Sequence, residues 1–471
     1  MFVLPLALFT VILPFSHAQQ VGSLEKEVHP KLQWSKCTTP GDPSSCQTIN
    51  GEITLDSNFR WLHRANGYSD CFHDNRWNNY SLGCNSTRDC TENCALEGVD
   101  FTYSQRWNQN IYGLKMTNSS MSMRLVTKID FGTQIGSKFY LLEDRQNYQM
   151  FTLLGNELSF DVDLSTVGCG VNAALRFVAM DQDGGLKRYP GNKAGAEYGT
   201  GYCDSKCTRT ERFVGGEASY DGWKQVNESD WSSPYQGESR ACCPEMAVWN
   251  SNAHSYQISS HLCPKNEYVA CKDRSCDYYI PYSDDEDRLP RCDRLGCGYN
   301  PFQMGNRDFY GKGKILDTSR NFTVVTRFEE DRVNQFFLQD GKKIEPPKPK
   351  WDELKDTTNG ISQDMCTKRA DGFGESDFWN KNQGWKGHLE LMKTPMVLAV
   401  SIDDDDFEWN LFLDSVWPPD REHEKEVVPG VWRGDCPWQD NEPNYVYNNV
   451  PYSTIVWSNI RFGPIGSTRK V

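Results

Sequence analysis

Beyond its first 18 residues, the sequence has no apolar run of the roughly 18 residues that a membrane-spanning helix requires, so no membrane association is expected. It also lacks an excess of basic residues, since 50 Lys and Arg stand against 64 Asp and Glu, for a net charge of −14. This acidic balance argues against nucleic acid or an anionic membrane surface as a partner. No Cys and His spacing typical of a zinc site is present, and neither a metal nor a cofactor is expected. Ser/Thr/Pro-rich linkers and internal repeats are missing as well, so residues 19–471 are predicted to form one domain, a monomer without an appended module.

Cysteine, in contrast, is abundant, with 18 residues. The almost wholly apolar segment Phe2–Phe15, followed by the small residue Ala18, is typical of a secretory signal peptide, so residues 1–18 are predicted to be removed. The mature chain would begin at Gln19 in an oxidising compartment, with all its cysteines available for disulfides, as a secreted, extracellular protein. The sequence has five acceptor sites for N-glycosylation: Asn79, Asn85, Asn118, Asn227 and Asn321. The alternative for each is an unmodified surface Asn.

Alternation of apolar and polar residues predicts an all-β protein. The predicted strands are 121–129, 158–164, 175–180, 322–328, 333–338, 396–402, 409–413 and 454–462. Helical periodicity is convincing only near Ser376–Lys393. Many antiparallel strands joined by long, cysteine-rich loops favour a β-sandwich that carries its function in the loops and on one concave face.

One segment combines closely spaced cysteines with an isolated carboxylate. Cys203 and Cys207 can meet the adjacent pair Cys242 and Cys243 only if the two segments lie side by side, and two crosslinks there would fix Glu245 on a stiff platform. Glu245 stands in a short apolar segment, where a carboxylate needs a reason to be. A salt bridge to a nearby Arg is the structural explanation for it, and catalysis is the functional one.

Several further segments resemble one known family. They are 54–61, 152–157, 180–185, 199–207, 300–302, 305–306, 309–311, 429–436 and 459–465. The chain resembles glycoside hydrolase family 7, the fungal-type cellobiohydrolases and endoglucanases, over essentially the whole mature sequence. This resemblance implies a concanavalin A-like β-sandwich, or jelly roll, of two large antiparallel sheets with a groove for a β-1,4-glucan. It also implies the disulfides 37–46, 71–94, 84–90, 169–436, 203–243, 207–242, 263–292, 271–276 and 297–366, and no appended carbohydrate-binding module is expected.

The catalytic motif of the family, Glu-x-Asp-x-x-Glu, is only partly kept. Members of the family cleave cellulose by a retaining double displacement, with one carboxylate as nucleophile and a second as acid/base. By this resemblance Glu245 is the nucleophile, Ala247 replaces the Asp that would tune it, and Asn250 occupies the acid/base position. An amide has no proton to give, so turnover of cellulose should be badly impaired. His261 matches a family His beside the site and could act as an acid near neutral pH, although hydrogen bonding within its own loop is the favoured interpretation.

The residues expected to contact the glucan are also only partly those of the family. The positions that match sugar-binding residues of the family are Trp61, Asn172, Tyr202, Asp204 and Arg433. The positions that depart from the family are Arg176 for Tyr, Lys206 for Gln, Thr210 for Asp, Arg212 for Lys, Leu295 for Asp, Gln303 for Arg, and Asp403 and Phe412 where Trp platforms are expected. The acidic run Asp403–Asp406 is interpreted as a solvated loop, with a cation site as the alternative.

Two functions follow from these residues. The first is a secreted β-1,4-glucanase that acts on cellulose or a related glucan with a weakened or relocated acid. The second is a non-catalytic glucan-binding protein, a pseudoenzyme. A β-1,4-glucan or cello-oligosaccharide is the expected ligand in both.

Overall fold

The structure of the protein is a computed structural model that describes residues 19–72, 83–101, 111–129, 132–225, 235–272, 276, 292–375 and 377–470. The predicted signal peptide and the acceptor sites Asn79 and Asn227 lie outside these residues. The other three acceptor asparagines, Asn85, Asn118 and Asn321, are exposed. None of the helices in the described part of the chain has the length and apolar character needed to cross a membrane.

The described residues form mainly β-strands. In chain order the strands are β1 Gln20–Val21, β2 Lys31–Lys36, β3 Gln47–Leu55, β4 Leu62–Arg64, β5 Cys94–Leu96, β6 Leu114–Met116, β7 Ser120–Arg124, β8 Val126–Ile129, β9 Gly132–Ile135, β10 Ser137–Asp144, β11 Asn147–Tyr148, β12 Met150–Phe151, β13 Asn156–Asp163, β14 Asn172–Val178, β15 Phe213–Val214, β16 Glu217–Ala218, β17 Lys224–Gln225, β18 Tyr235–Gln236, β19 Arg240–Cys242, β20 Glu245–Ser251, β21 Tyr256–His261, β22 Val269–Cys271, β23 Cys297–Tyr299, β24 Tyr310–Gly311, β25 Leu316–Asp317, β26 Phe322–Phe328, β27 Val333–Gln339, β28 Lys342–Ile344, β29 Met396–Asp403 and β30 Thr454–Pro464. The helices are α1 Thr87–Asn93, α2 Gln363–Phe373, α3 Phe378–Lys381, α4 Gly384–Lys393, α5 Leu411–Asp414 and α6 Pro443–Asn449.

The large strands form two layers. One layer has the order β3-β10-β29-β14-β20-β21-β23, with antiparallel pairing throughout. The other has the order β6-β7-β30-β13-β26-β27-β28, also antiparallel. Strand β2 joins the two layers at one side, because it pairs antiparallel with β3 and parallel with β30. This arrangement confirms the predicted all-β sandwich.

Aromatic side chains fill the space between the layers. Trp249 of β20 is fully buried and meets Phe160 of β13 and Phe337 of β27 edge-on, at centroid distances of 6.1 and 5.9 Å. Phe177 of β14 meets Phe328 of β26 in the same way, at 6.2 Å. Burial of side chains of this size contributes about 1.5–3 kcal/mol each, so this core holds the two layers face to face.

Most of the predicted strands are confirmed, but two elements differ. The segment 409–413, predicted as a strand, is wrong, because Trp409 and Asn410 adopt left-handed φ values of 54° and 51° and the short helix α5 follows. The predicted helix over 376–393 is broken into α3 and α4 at Gln383, whose φ is 73°. Helix α2, which precedes them, was not predicted.

The nine disulfides expected from the family resemblance are all formed. Two of them, Cys203–Cys243 and Cys207–Cys242, attach the loop at 199–207 to the residues immediately before β20. The other seven fasten loops elsewhere on the sandwich. The two disulfides therefore hold the 199–207 loop against the start of β20.

Candidate active site

The three positions of the catalytic motif lie on β20, which carries a β-bulge. Successive residues of a regular strand face opposite sides, so Glu245 and Asn250, five positions apart, would normally point in opposite directions. The pairing of β20 with both neighbours shifts by one residue between Ala247 and Asn250. Val248 and Trp249 both belong to the core, and Asn250 therefore returns to the same side as Glu245. We call this side of the layer, turned away from the core, the groove face.

Glu245 is held by one hydrogen bond. The Oγ of Ser205, in the loop between the two disulfides, donates to Oε1 of Glu245 at 2.9 Å. Oε2 is buried and accepts no hydrogen bond from the described residues. Ala247, two positions along, is 1% exposed and offers only a methyl group. The carboxylate therefore lacks the second polar partner that an Asp at 247 could supply.

Asn250 is fixed by two residues of β14. The Nδ2 of Asn172 donates to Oδ1 of Asn250 at 3.2 Å, and the Nε and Nη2 of Arg176 donate to the same atom at 3.2 and 3.1 Å. Burial lowers the pKa of Arg176, but the carboxylates of Glu245 and Asp403 raise it above its ordinary value, so the guanidinium stays charged. The structure thus places a permanent cation beside the position of the expected general acid.

His261 lies directly across from Glu245 in the pairing of β20 and β21. Its Nδ1 is 3.0 Å from the carbonyl oxygen of Asp293 and its Nε2 is 2.8 Å from Oγ of Ser259. Because a carbonyl only accepts, Nδ1 carries the proton and Nε2 accepts from the Ser259 hydroxyl. Burial lowers the pKa of His261, and the charge of Glu245 offsets this only in part. The imidazole is therefore neutral, and its single proton is committed to a backbone carbonyl.

Two of the expected glucan-binding residues lie close to Glu245. The hydroxyl of Tyr202 donates to Oδ2 of Asp204 at 3.1 Å, and Nζ of Lys138 sits 3.1 Å from the centre of the Tyr202 ring. Burial and the nearby charge of Glu245 raise the pKa of Asp204. The structure thus brings Tyr202, Asp204 and Asn172 near Glu245 and Asn250.

The other two expected glucan-binding residues, Arg433 and Trp61, contact residues outside this group. Arg433 is 5% exposed, and its Nη2 pairs with Oε1 of Glu375 at 2.6 Å; the other oxygen of Glu375 binds Arg369 at 2.7 Å. Trp61 is half-buried and stacks on the ring of His63, with 4.1 Å between centroids. Glu375, which holds Arg433, was not predicted from the sequence.

A set of ion pairs spans the region between Ser205 and Phe412. Nζ of Lys206 binds Oδ2 of Asp405 at 2.9 Å and lies 3.9 Å from Oε2 of Glu408 and 5.3 Å from the centre of the Phe412 ring. The guanidinium of Arg294 pairs with the same Glu408. We call Lys206, Asp405, Glu408 and Arg294 the charged bridge. It connects the 199–207 loop to the 403–412 segment.

The acidic run is therefore not the solvated loop that was expected. Asp403 is half-buried and accepts a hydrogen bond from Oγ of Ser401 at 2.9 Å, while burial raises its pKa. Asp405 is half-buried against Lys206, which lowers its pKa against the effect of burial. Glu408 and Arg294 belong to no recognised sequence motif, and the charged bridge was not predicted. The only related sign in the sequence was that Lys206 replaces a neutral Gln of the family.

Comparisons with known proteins agree with this fold. The model of glycosyl hydrolase family 7 matches residues 21–469. A cellobiohydrolase from Melanocarpus albomyces, solved with cellotetraose, is 44% identical, with a TM-score of 0.86, covering 96% of this chain and 100% of that one. A family 7 cellobiohydrolase from Daphnia pulex is 34% identical, with a TM-score of 0.87 and the same coverage. The endocellulase EGI of Humicola insolens is 27% identical, with a TM-score of 0.74, again over 96% and 100% of the two chains. The sandwich, its disulfides and these matches show that the chain belongs to glycosyl hydrolase family 7.

Proposed function

We propose that the protein is a β-1,4-glucan-directed glycosidase that keeps the nucleophilic half of the retaining reaction and has lost the acid/base half. The observation that carries this proposal is the amide of Asn250, fixed by Asn172 and Arg176 at the position of the general acid. Glu245 can attack an anomeric carbon, but neither Asn250 nor the two described residues that bind its side-chain oxygen, Asn172 and Arg176, can protonate a leaving oxygen. Substrates whose leaving group needs no proton would form the glycosyl-enzyme, and cellulose would be cleaved slowly.

The size of the defect follows from the chemistry. A positioned general acid contributes on the order of 10²–10⁴ in rate, and the alcohol that leaves during cellulose cleavage is too basic to depart without one. The second step also suffers, because the same residue normally activates the water that releases the sugar. His261 does not replace it, since its proton is held by the carbonyl of Asp293 and Ser259 occupies its other nitrogen.

A cello-oligosaccharide ligand is supported by two lines of evidence. The Melanocarpus albomyces relative was solved in complex with cellotetraose. Five positions that match glucan-binding residues of the family keep their residue types here: Trp61, Asn172, Tyr202, Asp204 and Arg433. We further propose that the protein acts outside the cell, because its nine disulfides, exposed glycosylation sites and apolar N-terminus all suit the secretory route.

The second candidate function is a non-catalytic glucan-binding protein. This function is favoured because Oε2 of Glu245 accepts no hydrogen bond from the described residues and Ala247 offers only a methyl group. A nucleophile held by one hydrogen bond is less well positioned for attack. This candidate requires that sugars bind and that no covalent intermediate forms.

A burst experiment separates the two. We expect 2,4-dinitrophenyl β-cellobioside, whose phenol leaves without protonation, to give a rapid release of about one phenol per protein molecule, followed by slow turnover. Mass spectrometry of a peptic digest should then find a cellobiosyl group on the peptide that contains Glu245, and Glu245→Gln should give neither signal. Calorimetric binding of cellotetraose without any burst would establish the binding protein instead, and normal cellulose hydrolysis would refute the interpretation of Asn250.

A further inference from the structure

Arg176 differs in residue type from the family and contacts Asn250 directly. It replaces a family Tyr, stands on the groove face of β14, and aims Nε and Nη2 at Oδ1 of Asn250 at 3.2 and 3.1 Å. The residue is half-buried. An arginine cannot act as a general acid at any working pH, because it does not release its proton. What it can offer is a fixed positive charge.

That charge has a specific use when the acid is missing. In the first step the bond between the anomeric carbon and the leaving oxygen breaks, and both electrons go to that oxygen. If no proton is supplied, the leaving group departs as an anion while Glu245 forms an ester bond to the sugar. Preorganised positive groups aimed at such developing charge are among the largest contributions to catalysis.

We infer that Arg176 stabilises the departing anion, and that the natural substrates are β-glucosides whose aglycone leaves as an anion, such as phenols, enols or carboxylic and sulfuric acids. This inference rests on the proposed function, because it requires Glu245 to act as the nucleophile. The step balances without a co-reactant: one C–O bond breaks, one C–O bond forms, and no proton moves.

Release of the sugar from Glu245 is also slow, because position 250 lacks a carboxylate that could accept a proton from water. Water must give up a proton as it attacks the glycosyl ester, and Asn250 cannot accept it. A small anion such as azide needs no deprotonation, so it should attack the ester directly, yield the cellobiosyl azide and free Glu245. The positive charge of Arg176 would favour the approach of such an anion.

A structural explanation of Arg176 competes with this inference. Glu245, Asp204 and Asp403 all interact with the guanidinium, so Arg176 could serve only to neutralise these carboxylates. The two explanations differ in whether the charge type of the leaving group matters. A structural cation would affect all leaving groups alike.

The test therefore compares leaving groups that depart with different charges. Dinitrophenyl cellobioside and cellobiosyl fluoride release anions, whereas cellobiosyl pyridinium salts release a neutral pyridine from a cationic aglycone. We expect the protein to form the glycosyl-enzyme faster from the first type than from a pyridinium of matched intrinsic reactivity. Arg176→Gln should slow the first type by roughly 10²-fold, the loss typical of one electrostatic donor, and should leave the pyridinium as fast or faster. Arg176→Lys, which keeps the charge, should lie between the two.

Controls separate the possible failures. Arg332→Gln, at an exposed turn where Arg332 pairs with Glu329, should behave as the unmodified protein. If no cellobioside of any kind gives a burst, the proposed function fails. If a burst occurs but the anionic preference is absent from the unmodified protein, or survives in Arg176→Gln, the inference about Arg176 is wrong while the proposed function stands. The unmodified protein answers the question by itself if Arg176→Gln does not fold.

Discussion

Replacement of Asn250 by glutamate is expected to restore only one half of the reaction, because Arg176 would bind the new carboxylate. The guanidinium lies 3.2 and 3.1 Å from the oxygen that is now an amide oxygen. A cation at this distance lowers the pKa of a carboxyl by about 1–3 units, which corresponds to roughly 1.4–4 kcal/mol. The pKa of the new glutamic acid would therefore fall well below its ordinary value.

The consequence is a residue that serves as a base and fails as an acid. At pH 5 the fraction of molecules that carry the proton needed by the leaving group would be roughly 10- to 10³-fold smaller than for an unperturbed Glu. The ionised carboxylate could still accept a proton from water in the second step. Asn250→Glu should therefore raise the steady-state turnover of dinitrophenyl cellobioside and leave cellotetraose hydrolysis slow.

Removal of the cation should complete the repair. With Arg176→Tyr added to Asn250→Glu, the new carboxyl regains an ordinary or higher pKa, and cellotetraose hydrolysis should rise by about 10-fold or more over Asn250→Glu alone. Addition of Ala247→Asp gives Glu245 a second partner and should increase the rate further. In Asn250→Glu alone, cellotetraose hydrolysis should increase as the pH falls towards the lowered pKa. The reasoning is refuted if Asn250→Glu alone cleaves cellotetraose as fast as the double variant, as measured by chromatography of the products.

Three further predictions concern other parts of the molecule. Salt weakens the ion pairs of the charged bridge, so a ligand that must displace Lys206 should bind more tightly at high salt. Calorimetry should show cellotetraose binding several-fold tighter at high than at low salt, and no such salt dependence in Lys206→Gln. Equal salt effects in both proteins would contradict this prediction. Burial and the charge of Asp56 raise the pKa of Glu211 from 4.5 to about 8, so its contribution to stability is fully present below pH 4.5 and is lost as the pH rises to 8. Thermal unfolding should therefore show Glu211→Gln a few degrees more stable than the unmodified protein at pH 8 and level with it at pH 4, and parallel pH profiles would be the contrary result. Replacement of Cys207 and Cys242 by Ala removes one of two bridges across the same pair of segments. Because Cys203–Cys243 still closes the loop, the free energy of unfolding should fall by only about 2 kcal/mol in guanidinium titrations, whereas no change would mean that the loop is held by its other contacts.

The strands were predictable where one face of a sheet meets the core. In β26 and β27 the buried and partly exposed residues alternate in part, and the sequence pattern matched both strands closely. The segment 409–413 has a similar pattern, but two residues with left-handed backbone conformation precede a short helix there. Asn410 is a type that tolerates this conformation, whereas Trp409 gives no sign of it. Backbone reversals of this kind depend on tertiary contacts, which periodicity does not record.

The resemblance to the family predicted roles for Glu245, Ala247 and Asn250, and these roles stay predictions. The contacts of these residues could not be predicted from the sequence. The contact between Arg176 and Asn250 depends on strand register and on a bulge, and the pairing of Lys206 with Asp405 joins residues that lie 199 positions apart. Neither can be read from spacing along the chain.

The bulge in β20 determines whether substitutions at position 250 can change the chemistry of the site. One additional residue at Val248–Trp249 is the reason why position 250 lies on the same side of the layer as Glu245. Under the proposed function, the backbone that would present a proton donor is therefore complete, and only the side chain is of the wrong type. Side-chain substitutions alone, without any change in backbone length, are enough to explore new chemistry at this site, and deletion of a single residue from the bulge would turn position 250 towards the core and end that possibility.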